Sequence, residues 1–121
     1  MDLELALFEA DHGQNLRDAL TRARDAYTKR PSIHAADVLA WTLYQTSSHA
    51  EADKFSRESL RLGTRDPLMW YHAAMIALKL NDTARARELL QNALAQNPHF
   101  SILYAPRAQQ QLDQLGASAG P

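Results

Sequence analysis

The amino-acid sequence predicts an all-α protein, and three observations carry that expectation. First, Ala and Leu supply 39 of the 121 residues, whereas Val and Ile supply four; helices draw on the former pair and strands on β-branched residues. Second, turn-forming residues recur at regular intervals: His12-Gly13, Arg30-Pro31-Ser32, Ser47-Ser48, the stretch from Gly63 to Pro67, Asn81-Asp82 and Asn97-Pro98. The Gly- and Pro-free segments between them are about 10 to 16 residues long, which suits helices. Third, positions repeat with a period of 34 residues, pairing Ala40 with Ala74, Ala52 with Ala86, Phe55 with Leu89 and Leu60 with Leu94. One step earlier the offset is 33, pairing Ala6 with Leu39, Phe8 with Trp41, Ala19 with Ala52 and Tyr27 with Leu60.

Seven helices are expected within one domain over 1–115. The first, 2–11, is apolar nearly all round from Leu3 to Phe8, as a helix with partners on more than one side would be. The second, 14–29, places Ala19, Ala23 and Ala26 on one face. In the third, 33–46, Ala36, Leu39, Ala40 and Leu43 form a core stripe, and His34, Asp37, Trp41 and Tyr44 fall on another. The fourth, 48–62, opens on Ser48-His49-Ala50-Glu51, which reads as a capping box, and closes at Gly63. The fifth, 67–80, has Asp66 as N-cap and Pro67 at its first turn. The sixth, 83–96, is expected to end with Asn97 in the left-handed conformation. The seventh, 101–115, turns Gln109, Gln110, Gln111, Asp113 and Gln114 to water. The tail 116–121 reads as disordered.

The period of about 34 residues with two helices per period is the tetratricopeptide signature. The third unit carries it best: Trp70-x-x-Ala73-Ala74-x-x-Ala77, then Ala86-x-x-x-Leu90-x-x-Ala93-x-x-x-x-Pro98. On these residues the chain resembles the tetratricopeptide repeat family over about residues 2–98, with 101–115 similar to the family's closing helix. The second unit departs from the pattern, with Ser56 and Ser59 at larger or alanyl positions and Thr64 in place of proline. The resemblance implies a right-handed superhelix of antiparallel helix pairs, with repeats at about 2–32, 33–66 and 67–100. It also raises the expectation that the apolar first helix continues into further repeats of a longer array, or packs on a second copy.

Composition excludes several functions. With 13 Lys and Arg against 14 Asp and Glu, and the cations interleaved with acids on the second helix of each pair, no phosphate-neutralising surface is expected and nucleic acid is not an expected partner. The chain has no cysteine, hence no disulfide or thiolate site. Its uncharged stretches are too short to span a bilayer, and the N-terminus is acidic where a secretory leader would be basic. The expectation is a cytoplasmic protein with no membrane partner. No phosphate loop, zinc-helix motif or nucleophile elbow is present, so no enzyme and no cofactor are expected. His34, Asp37 and His72 form the nearest thing to a ligand cluster, and no metal site is assigned to them.

The resemblance implies a concave groove lined by the first helix of each pair. Repeat alignment puts Phe8, Asp11 and His12 there from the first unit. His34, Asp37, Val38, Trp41, Tyr44 and Gln45 come from the second, and Leu68, Tyr71, His72, Met75 and Lys79 from the third. The expected function is non-catalytic binding of a peptide or protein segment, anchored by Trp41 and Tyr71; loss of either is expected to weaken a partner by about 2 kcal/mol with helicity intact. A carboxylate clamp of the family's chaperone-tail type is not expected, since Glu4, Phe8, Val38, Leu68 and His72 stand at its places. The alternatives are packing of Trp41 and Met75 inside the fold, homo-oligomerisation through the first helix or groove, and an auxiliary domain of a larger enzyme.

Overall fold

A computed structural model describes residues 2–118. Among these the chain is all α, with seven helices and no strand: α1 (Asp2–His12), α2 (Leu16–Lys29), α3 (Ile33–Gln45), α4 (His49–Leu60), α5 (Pro67–Lys79), α6 (Thr83–Gln96) and α7 (Tyr104–Ser118). They fall into two compact units, Met1–Thr64 and Arg65–Pro121. No helix is long and apolar enough to cross a membrane.

Side-chain caps start several of these helices. The Ser32 hydroxyl accepts from the Ala35 amide at 3.0 Å, the Asp66 carboxylate from Leu68 at 2.9 Å and the Asp82 carboxylate from Arg85 at 3.2 Å. Ser101 accepts from the Tyr104 amide at 2.9 Å, which starts α7 three residues later than expected. Helix α7 then runs through Gly116 to Ser118, so the expected disordered tail is helical that far; 119–121 lie outside the described residues.

The helix ends carry the repeat in the backbone itself. Gly13, Ser47 and Asn81 lie 34 residues apart and are all left-handed, at φ 62°, 66° and 64°. After each, the next amide reaches back to close the helix: Gln14 to the Glu9 carbonyl, Ser48 to Leu43 and Asp82 to Ala77, each at 2.9 Å. The left-handed residues donate to Ala10, Tyr44 and Leu78 at 3.1–3.2 Å. This back-bonded, left-handed C-cap satisfies carbonyls that the helix leaves orphaned. Of the three residues only Gly13 adopts the conformation without steric cost. Ser47→Gly is therefore expected to stabilise the protein by about 0.5–1 kcal/mol, read as a higher urea midpoint with unchanged slope.

Two expected caps are not made. The Ser48 side chain makes no cap bond; its amide closes α3, and the Glu51 carboxylate is held instead by Arg24 of α2, at 2.7 and 3.2 Å. Asn97 is extended, at φ −160° and ψ 105°, and not left-handed. Pro98 follows it, and a residue before proline is pushed out of helical conformations into extended ones. Arg30, before Pro31, ends α2 in the same way at φ −146° and ψ 82°.

In the first unit α1 packs on α2 and α3, α2 packs on α3, and α3 packs on α4. Ala6, Ala10, Ala19, Ala23, Ala36, Ala40 and Ala52 are buried, so backbones approach closely, and Leu39, Leu43 and Phe55 fill the remaining space. Helix α3 is buried without a break from Ala35 to Leu43. In the second unit α5 packs on α6, and α7 packs on both. Its core is Ala73, Ala74, Ile76, Ala77, Ala86, Leu89, Leu90, Ala93, Ala105 and Ala108.

Polar ties hold the first unit's helices in register. Arg22 of α2 pairs with the buried Glu9 carboxylate of α1, and Tyr27 of α2 donates to Glu58 of α4 while its ring meets Phe55 edge-on at 5.1 Å. The Arg22 hydrogen bond holds the Glu9 carboxyl below its ordinary value, and the Arg24 hydrogen bond does the same for Glu51. A carboxyl lowered in the folded state contributes stability above its unfolded pKa, and that contribution disappears as the pH falls through the folded value. Stability is therefore expected to hold from neutral pH down to the ordinary carboxylate range and to drop below it. Urea midpoints between pH 7 and pH 3 measure this, and Glu9→Gln should flatten the acid limb.

Candidate interaction surface

The candidate residues of the first unit meet on α1 and α3. Asp11, near the end of α1, accepts a hydrogen bond from the Trp41 indole Nε1 of α3 at 2.8 Å. One turn along α3, Tyr44 stacks on Trp41 with ring centroids 4.7 Å apart and planes within 6° of parallel. Beyond Tyr44, the His49 ring of α4 lies at 5.7 Å. Burial raises the Tyr44 phenol above its ordinary pKa. Asp11, Trp41 and Tyr44 thus form one fixed layer tying α1 to α3.

Exposure divides the candidates. Trp41 is 2% exposed, and Val38 and Asp37 are buried as well. The expected anchor is therefore packed within the fold, held by its stack and its hydrogen bond. Tyr44 and Gln45 are half-buried, and His34 and His12 are exposed. Phe8 is 53% exposed, its ring 4.1 Å from that of His12, whose Nδ1 lies 2.8 Å from the Phe8 carbonyl and bonds to it as donor. The aromatic edge offered to solvent in this unit is that of Phe8.

In the second unit Tyr71, His72 and Met75 are buried, Leu68 is half-buried and Lys79 is exposed. Tyr71 is covered by its own unit. Tyr104 of α7 stacks on it at 4.8 Å, Phe100 lies at 6.0 Å, and Tyr104 meets His72 edge-on at 6.4 Å. Sequence reasoning missed Tyr104 and Phe100. A signal was present for Tyr104: it lies 34 residues after Trp70, as Ala108 does after Ala74, so α7 carries the repeat register. Among the described residues no group of three or more His, Asp or Glu side chains is placed to hold a metal ion.

The α1–α3 face offers chemistry for recognition: an exposed aromatic ring, imidazoles at His12 and His34, and the Gln45 amide and Tyr44 phenol at its rim. A rigid layer lies beneath them. The sequence matches no family model and no curated protein.

Proposed function

We propose that the protein is a non-catalytic, tetratricopeptide-like interaction module that binds a peptide or protein segment on the α1–α3 face of its first unit. The observation that carries this reading is the half-exposed Phe8 ring beside the fixed Asp11–Trp41–Tyr44 layer. An aromatic held ready in its bound conformation loses little entropy on binding, and such residues dominate interfaces. The strict 34-residue recurrence of the left-handed helix ends supports the helical-repeat assignment independently of side-chain type. Mixed charge across α2 and α4 favours a protein ligand over nucleic acid.

Phe8→Ala is expected to weaken a selected peptide ligand by about 2 kcal/mol while leaving the urea midpoint nearly unchanged, because Phe8 contributes little to the core. Calorimetric titration beside a denaturation curve measures both. Unchanged affinity would move the ligand off this face.

A further inference from the structure

The second unit holds a cleft of about 450 Å³ between the end of α6 and the start of α7, lined by Leu94, Pro98, His99, Ile102, Ala105 and Pro106. Its volume lies within the roughly 300–1,000 Å³ range of binding clefts. Ile102 at its mouth is fully exposed, and the adjacent Leu103 is 41% exposed. Such a cleft with an exposed apolar rim favours an apolar occupant.

Helix α1 has the complementary features. Leu5 and Phe8, one turn apart, are 47% and 53% exposed. The helix carries Asp2, Glu4, Glu9 and Asp11 and no Lys or Arg. Pairing two α1 helices would set acid against acid, which opposes a symmetric contact through this face. The cleft is cationic at its edge: His99 lines it, and the exposed Arg107, beside Pro106, stands over the Tyr104 ring at 5.6 Å. The nearby acid, Asp113, is hydrogen-bonded to Gln109 at 3.0 Å.

We infer that the cleft takes helix α1 of a second copy, Leu5 and Phe8 entering it, so that copies associate head to tail. The two surfaces differ, so the contact is heterologous and leaves a free α1 and a free cleft at opposite ends of every assembly. This inference is independent of a peptide ligand on the α1–α3 face, because its test uses Leu5 and Ile102, which that face does not include.

The test is light scattering over a concentration series with the wild type, Leu5→Ser and Ile102→Ser. Both substitutions are at exposed positions, and circular dichroism confirms that each variant is folded. The wild-type mass should rise with concentration past two chains, and more weakly at high salt. Each variant alone should remain monomeric, at least tenfold weaker in association. The equimolar mixture should form a species of two chains, because one variant keeps its cleft and the other its α1. A wild type monomeric at millimolar concentration overturns the inference. So does a mixture that stays monomeric, or association that Leu5→Ser abolishes and Ile102→Ser leaves intact.

Discussion

Trp41→Ala is expected to destabilise the first unit by about 3–5 kcal/mol, the usual cost of deleting a large buried aromatic. The indole is 2% exposed, so its removal leaves a cavity in α3's packing. It also ends the stack on Tyr44 and deprives the Asp11 carboxylate of its donor at 2.8 Å. The stack is worth about 0.5–1.5 kcal/mol beyond area, and a hydrogen bond to a charged group about 1.5–3 kcal/mol. Trp41→Phe separates these contributions, since it keeps an aromatic on Tyr44 and removes the N–H. It should lose roughly a third to a half as much stability. Urea denaturation followed by circular dichroism measures both variants. Weaker ligand binding by Trp41→Ala would then report a damaged scaffold, whereas Phe8→Ala probes the surface.

Tyr104→Ala is expected to cost about 3 kcal/mol and to release α7 from the second unit. Tyr104 is 4% exposed and stacks on Tyr71, and the rest of the helix contributes only small buried side chains, Ala105 and Ala108. With that ring gone, little apolar area holds α7, and an isolated helix of 15 residues is marginal in water. The expected signature is loss of far-UV ellipticity and of amide protection across α7 before the main unfolding transition. A single unshifted transition would mean that other contacts hold the helix.

Most of the architecture was legible from local chemistry. Alanine and leucine periodicity placed all seven helices, and Ser32, Asp66 and Pro67 marked starts that the structure uses. The departures arise where a distant group outcompeted a local one. Glu51 reads as half of a capping box until Arg24, 27 residues away, takes its carboxylate. Asn97 has the composition of a left-handed cap, yet its neighbour Pro98 forbids the conformation. Ser47 adopts it, although serine rarely signals it, because the 34-residue frame of Gly13 and Asn81 imposes the turn there. Among the candidate site residues, helical spacing gave the right faces of α3 but not their exposure. Sequence shows that Trp41 and Tyr44 share a stripe. It does not show that Asp11 caps the indole, nor that Tyr104 covers Tyr71, since both facts depend on contacts between helices.

The central claim is that the α1–α3 face of the first unit receives a peptide. It is tested most directly by selecting peptides from a random display library on the wild-type protein and mapping the enriched sequence by amide chemical shifts. The account predicts that shifts concentrate at Phe8, His12, Tyr44 and Gln45, and that Phe8→Ala abolishes enrichment. Shifts confined to the outer faces of α2 and α4, or no enriched peptide, would contradict it.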